Sequence, residues 1–397
     1  MGYRKVLHID LDAFFCSVEE LLNPELKGTV FAVGGSPESR GVVSSCSYAA
    51  RRLGVHSAMP MKTALLKAPD LMIVDGHYDR YRFYSKQVMG ILCDTAPLVE
   101  QISIDEAFMD VTDMPQKGIE IAQTLQKRIM EQTGLPCSIG VASNKLVAKI
   151  ATNIAKSTYS GQGTPRAILE VPAGKEAEFL AQLPIRELWG IGKKSIPHFQ
   201  KLGYATIGDL AKAPDETLEK QLGRFAHTLK MRAAGKDDRP VGNDEEIKSI
   251  SNEITFGKDV GDANEIERTL RALSEKVAYR LRRQGLSGKT IRLKIRWPDF
   301  ETHTRQFSLE QPTNHDTIIF HSILHLFHEI WKPGMKVRLL GVAVANLTAT
   351  IQQLSMFDTS YQKENQLLQA LDEIKERFGK TMIRRGWALK EEDDQHQ

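Results

Sequence analysis

The chain has 397 residues, 41% hydrophobic and 26% charged, which excludes a disordered, collagen-like or disulfide-stapled protein and leaves room for several domains. Lys+Arg at 53 against Asp+Glu at 50 gives a formal net charge of only +3, so any polyanion-binding footprint must be local. The cysteines at 16, 46, 93 and 137 form no CxxC pair and read as free thiols of a reducing cytosol.

The first residues reach Asp10 before any long apolar run, unlike a signal peptide. Val6–Ile9 reads as a strand ending in Asp10 and Asp12, and Ala13–Leu22 as a helix closed by Asn23-Pro24. Val30–Val33 and Val42-Val43 read as strands around a Gly/Ser/Pro loop. Tyr48–Leu53 and Pro60–Lys67 read as short helices and Tyr81–Leu92 as a longer one. Val99–Ile104 and Ala107–Val111 are expected as strands meeting at Asp105-Glu106. Helix Gly118–Thr133, strand Ser138–Ala142 and helix Asn144–Lys156 follow. Residues 172 to 238 read as short helices broken by Gly and Pro, with a hairpin at Leu188–Lys193. Gly235–Glu246 is nearly devoid of apolar residues and reads as a linker.

Beyond it the pattern is strand Ser249–Phe256, helix Asn264–Arg283, strands Thr290–Trp297 and His303–Leu309, helix Thr317–Trp331 and strand Val337–Ala345. This β-α-β-β-α-β order is the split-βαβ, ferredoxin-like arrangement. The uncharged stretch Leu339–Phe357 is long enough to span a membrane. It holds Asn346, Thr348, Thr350, Gln352, Gln353 and Ser355, which hydrocarbon would penalise, so a soluble cytoplasmic protein is expected.

Five constellations carry chemistry. Asp10 ends an apolar strand, and Asp105-Glu106 lie together between two others. Strand residues alternate faces, so an adjacent acidic pair is hard to bury, yet at a strand junction both can converge on a hard divalent cation such as Mg²⁺. Solvated turn acids would look the same. Ser44–Arg52 sets hydroxyls at a strand end before a helix with Tyr48 and Arg51 on one face, which suits a polyphosphate as well as a capped surface helix. Gly190-Ile191-Gly192 could let backbone N–H groups approach a phosphate, or make a plain turn.

Ile291–Trp297 alternates apolar residues with Arg292, Lys294 and Arg296, so one strand face is buried and the other cationic. Arg305, Arg280, Arg282 and Arg283 are expected to add to its field. Residues 247–350 hold 16 basic and 11 acidic residues, a larger excess than that of the whole chain. A nucleic-acid phosphate track fits best. Gln353-Leu354-Ser355-Met356-Phe357 suits a peptide that docks in a partner's pocket, or ordinary packing.

Together these residues resemble the Y-family DNA polymerases, most closely their bacterial branch. The resemblance is carried by His8-Ile9-Asp10-Leu11-Asp12-Ala13-Phe14-Phe15-Cys16-Ser17-Val18-Glu19, Ser47–Arg51, Gly54–Pro60, Ser103–Asp110, Ser138–Lys145 and Ala155-Lys156, collinear over about residues 5 to 357. It implies a mixed α/β, right-hand polymerase. The palm would be residues 1–23 and 76–168, the fingers 24–75 and a helical thumb with a helix-hairpin-helix 169–234. A linker would cover 235–248, a ferredoxin-like little finger 249–348, and a clamp-binding peptide with a C-terminal helix and tail 349–397.

On matched positions, the resemblance gives Asp10, Asp105, Glu106 and the Leu11 carbonyl as ligands of two Mg²⁺ ions, with Glu106 beside the primer 3′-hydroxyl. Phe15 falls at the sugar-selecting position. Phe14, Phe15, Ser45, Tyr48, Arg51 and Lys156 fall where the incoming triphosphate binds. Gly190, Gly192, Lys193, Arg292, Lys294 and Arg296 would contact DNA, and Gln353–Phe357 would bind the sliding clamp. Phe108 and Met109 stand where Tyr and Leu are commoner, and Met356 replaces the usual Leu of the clamp peptide. The implied function is error-prone translesion DNA synthesis by two-metal nucleotidyl transfer. It would extend primer-template DNA with dNTPs as a monomer, without a proofreading exonuclease. Two rivals use the same features: a palm-type nucleotidyl cyclase, and a non-catalytic, clamp-tethered DNA-binding scaffold.

Overall fold

The computed structural model describes residues 3–161, 163–242, 246–350 and 359–379. The chain divides into two compact units, Met1–Pro37 with Gly41–Asp244, and Glu38–Arg40 with Glu245–Gln397.

The first unit contains β1 (Val6–Leu11), β2 (Phe31–Gly34), β3 (Val43–Cys46), β4 (Met72–Val74), β5 (Leu98–Gln101), β6 (Glu106–Asp110), β7 (Cys137–Ala142) and β8 (Ile168–Glu170). Its main sheet has the order β5-β6-β1-β7-β8, antiparallel except for the last pair. A smaller sheet, β3-β2-β4, carries a strand the sequence pattern did not announce. β4 has only three residues, none fully buried, so its alternation is too short to register.

The main sheet separates two environments by strand alternation. Leu7, Ile9 and Leu11 of β1, with Ala107 and Met109 of β6, face a core built by helices Tyr78–Thr95 and Gly118–Thr133. Val6 and Phe108 face the opposite core, shared with helix Lys145–Ser157 and the helical segment from Leu180 onward. His8, Asp10 and Glu106 share that second face, where Asp10 pairs with Glu106 and His8 with Phe108 across the strands.

Gly140 on β7 lets helix Lys145–Ser157 lie almost against the sheet. A Cβ there would meet the Ala148 carbonyl at 2.0 Å and Thr152 N and Oγ1 at 2.6 Å. Gly140→Ala is expected to destabilise the fold by about 2–3 kcal/mol, since backbone cannot yield as a side chain can. A urea titration with unchanged midpoint would refute this.

Leu188–Lys193 is the hairpin turn expected between short helical segments. It joins the 3-10 segment Ile185–Glu187 to helix Ile196–Lys201 and is closed by Ile191 N to Leu188 O and Ser195 N to Gly192 O. The segment read as a linker is bound to the first unit over its first residues. Asn144 Nδ2 donates to Gly235 O at 2.9 Å, Asp237 accepts from Leu146 N at 3.1 Å, and Gly242 N donates to Glu100. Polar bonding to a helix N-terminus holds it, which a search for apolar residues overlooks.

The second unit contains β9 (Ser249–Val260), β10 (Leu286–Arg296), β11 (Thr302–Thr313) and β12 (Val337–Ala349), with helices Ala263–Arg283 and Asp316–Ile330. The β-α-β-β-α-β order is present, and the sheet runs β11-β10-β12-β9, all antiparallel. Each βαβ unit is split by one strand: β12 lies between β9 and β10, and β10 between β11 and β12. A further helix, Thr359–Phe378, joins this unit through a bidentate Arg282–Asp372 pair at 2.6 and 3.0 Å and through buried Leu368. No described helix is long and apolar enough to cross a membrane.

Candidate active site

Ala13, at φ 46°, turns the chain sharply from β1 into helix Phe14–Leu22. That left-handed residue is strained for an L-amino acid. Just before the turn, Asp10 and Asp12 share the Lys156 ammonium, while Phe15 beyond it packs against the first core. Asp105 joins them through its carbonyl, which accepts from Leu11 N at 3.0 Å, and its carboxylate accepts from Ser103 Oγ at 2.5 Å. Leu11 itself is core, 2% exposed, so only its backbone lies beside the acids.

Helix Lys145–Ser157 answers these acids with a stripe spaced 4, 3 and 4 residues apart, one face of a helix. Lys145 binds Glu100 at 2.7 and 3.0 Å, and Lys149 pairs with Glu106. Thr152 Oγ1 lies 2.9 Å from His8 Nδ1, and Lys156 pairs with Asp10 and, at 3.1 Å, Asp12. Lys149 and Lys156 thus hold the carboxylates expected to ligate metal. Among the described residues, no three His, Cys, Asp or Glu side chains stand ready around a common ion.

The electrostatics follow from this pairing. The His8 hydrogen bond, against the cost of burial and with the Lys149 ammonium, pulls Glu106 down to about 2. Burial, opposed by the Ser103 hydrogen bond and reinforced by the Asp10 and Glu106 charges, holds Asp105 above the ordinary carboxylate range. Burial opposes the Lys156 charge, yet Asp10 and Asp12 outweigh it and raise this ammonium's pKa. Burial keeps His8 below its usual value despite the Glu106 hydrogen bond, so His8 is the neutral orienter of that carboxylate.

Tyr48 follows β3, whose Ser45 is buried. Burial, with the Asp12 charge, pushes the Tyr48 phenol up to about 12. Its hydroxyl is buried with no hydrogen-bond partner in the described structure, and the Arg51 guanidinium lies 4.8 Å from its ring centroid. A protonated phenol without an acceptor, within electrostatic range of Lys156 and Arg51, is a donor set suited to an anion.

Phe15 is half-buried and stacked on Tyr81 at 4.2 Å, whereas Phe14 is 2% exposed and belongs to the core. Gly190, Gly192 and Lys193 lie in the turn before helix Ile196–Lys201. Arg292, Lys294 and Arg296 line the solvent face of β10 over buried Ile291, Leu293 and Ile295. Arg305 does not share that face: it pairs with Leu293, so strand alternation sends it to the other side. Arg282 and Arg283 are engaged by Asp372 and Glu376, and Arg280 donates to Ser251 O. Gln353–Phe357 lies outside the described residues. Sequence reasoning missed His8, Asp12 and Lys149. His8 is two residues before Asp10 on one strand, and Lys149 two helical turns before Lys156, so both periodicities were available.

Residues 9–153 match the impB/mucB/samB family, residues 247–356 its C-terminal domain, and residues 174–204 the helix-hairpin-helix motif described for the IMS family. DNA polymerase IV of Dehalococcoides mccartyi strain CBDB1 is 40% identical over 97% of this chain and 98% of its own. DNA polymerase IV of Desulfatibacillum aliphaticivorans is 41% identical over 96% of each chain. Among solved structures, a Y-family DNA polymerase chimera built on Dbh superposes with a TM-score of 0.75 at 27% identity, covering 86% of this chain and 98% of its own. An insertion ternary complex of Dbh DNA polymerase gives 0.61 with the same identity and coverage.

Proposed function

This chain belongs to the impB/mucB/samB family of Y-family DNA polymerases and is a translesion DNA polymerase, and from that premise we propose how its own residues serve the reaction. The partners are DNA and deoxynucleoside triphosphates, and divalent metal ions serve this chemistry in the family. The primer 3′-oxygen attacks the α-phosphorus, the bond to the bridging oxygen breaks, pyrophosphate leaves, and the 3′-hydroxyl proton is lost to solvent. The protein supplies position and charge more than covalent chemistry.

The observation that carries the reading is the meeting of acids with anion donors: Asp10, Asp105 and Glu106 beside Lys156 and the unpartnered Tyr48 hydroxyl. The acids are oxygen donors only, the set a hard cation prefers, and burial together with the neighbouring Asp10 and Glu106 charges disfavours the ionised Asp105 carboxylate, a cost such an ion would relieve. Asp10, Asp105, Glu106 and the Leu11 carbonyl would hold two Mg²⁺ ions, which neutralise charge at the reacting phosphate. Lys149 and Lys156 would then let go of Glu106 and Asp10. Lys156 would pass to the triphosphate with Tyr48, Arg51 and the Ser45 side of β3. Arg292, Lys294 and Arg296, with Gly190, Gly192 and Lys193, would grip DNA phosphates, and Gln353–Phe357 would tether a monomeric enzyme to the sliding clamp. Primer extension with Mg²⁺ on a defined template tests the reading; conversion of a lone triphosphate without DNA would favour a cyclase instead.

Phe15→Ala should admit ribonucleotides, because the ring fills the space a 2′-hydroxyl needs. Discrimination against them should fall by roughly 10²-fold, the scale on which a pocket's shape rejects an added hydroxyl. Equal deoxy-to-ribo ratios in wild type and variant would move the gate to another residue.

A further inference from the structure

Glu19 has no part in the chemistry above, yet it is a carboxylate at 2% exposure inside an aromatic core. It lies one helical turn after Phe15, on the same face of helix Phe14–Leu22. An isolated buried carboxylate is costly and survives only with donors around it. Glu19 has three. The Tyr81 hydroxyl donates to it, His77 Nδ1 lies 3.0 Å away, and the His77 backbone N–H reaches it at 3.4 Å from the N-cap of helix Tyr78–Thr95. The Tyr81 ring, itself fully buried, lies parallel to Phe15, with centroids 4.2 Å apart and planes 10° apart, and Tyr78 meets both rings edge-on.

We propose that Glu19 is a positioning residue for sugar selection, holding Tyr81 by its hydroxyl so that the Tyr81 ring fixes the plane of Phe15. The inference rests on Phe15 being the sugar gate. A half-buried phenylalanine has two side-chain torsions and no polar anchor of its own. A gate rejects a 2′-hydroxyl only if its ring stays where the clash occurs. The stack beneath supplies a stop, and the stop is pinned at its far end by a charge-assisted hydrogen bond, the strong and directional kind. Burial, together with the Glu19 bond and charge, keeps the Tyr81 phenol protonated, so it remains a donor. Glu19 also ties this stack to the start of helix Tyr78–Thr95, a rigid element rather than a loop.

The test compares single-nucleotide insertion of a deoxynucleotide and the matching ribonucleotide by wild type, Glu19→Gln, Tyr81→Phe, their double variant and Phe15→Ala, on one primer-template with Mg²⁺. Gln offers one acceptor oxygen and an amide that faces donors, and Phe keeps the ring but loses the anchor. Each single variant should lose roughly five- to tenfold in discrimination, about one good hydrogen bond's worth. Deoxynucleotide insertion should stay within about twofold of wild type, a split that general destabilisation would not give. The double variant should lose no more than either single one, because both cut the same link. If Glu19→Gln does not fold by circular dichroism, Tyr81→Phe, which removes one oxygen, carries the test. Unchanged discrimination in the variants, with Phe15→Ala permissive, overturns the role of Glu19 alone. Unchanged discrimination in Phe15→Ala overturns the gate reading and this inference with it.

Discussion

Asp105→Asn and Glu106→Gln should each reduce primer extension by at least ~10³-fold, since removing a metal ligand forfeits several kcal/mol of transition-state stabilisation. Both substitutions keep side-chain shape and remove charge, so the loss would report electrostatics rather than packing. For Asp105 the structural cost should be small, because the Ser103 hydroxyl can still donate to the remaining carbonyl oxygen. For Glu106 it should be larger: Lys149 loses its counter-charge and His8 exchanges a charged acceptor for a neutral one. Thermal melts therefore belong beside the kinetics. DNA affinity at fixed salt should be nearly unchanged in both variants, because the cationic strand face belongs to the second unit. Extension above a tenth of the wild-type rate in either variant would remove these acids from the metal site.

The chain shows where sequence reasoning reaches and where it stops. Strand ends carrying acids were legible because short apolar runs lead into Asp10 and flank Asp105-Glu106, and Gly118–Thr133 stands at the bounds its periodicity gave. The second unit's element order was legible for the same reason. Its strand order was not, because period 2 records which face a residue takes and not which neighbour it pairs with. The face that Arg305 takes is hidden in the sequence for the same reason, since it depends on the register against Leu293. At the site, acids and hydroxyls were visible as residue types. Their partners were not, since Lys149, Thr152 and Lys156 meet Glu106, His8 and Asp10 only through the close approach that Gly140 permits. Glu19 reads as an ordinary helical acid because nothing local reveals that a distant tyrosine donates to it.

Replacing Arg292, Lys294 and Arg296 together by Ala should flatten the plot of log DNA affinity against log salt by ~1.8 to 2.7, that is ~0.9 for each phosphate no longer neutralised. The three side chains form a ridge on the solvent face of β10. Thr302, Thr304 and Gln306 of β11 lie opposite on one side, and Ala343 and Gly341 of β12 make a low floor on the other. Uncovered, the cations repel one another along a single strand face, and the structure offsets this only in part. Arg292 donates to Gln306 and Arg296 to Thr302, both neutral, while Lys294 is paired with Glu253 at 2.7 Å. That exposed pair is weak and competes with phosphate for the ammonium. Lys294→Ala alone should therefore change the slope least, and Glu253→Gln should strengthen binding and steepen the slope by releasing Lys294. The loss should be equal for any DNA sequence, because phosphates carry none. Insertion by enzyme saturated with DNA should change little, while processivity falls. A triple variant with wild-type slope and affinity would make this ridge a solvated sheet face, and a Glu253→Gln variant that binds no better would mean Lys294 is not held in reserve.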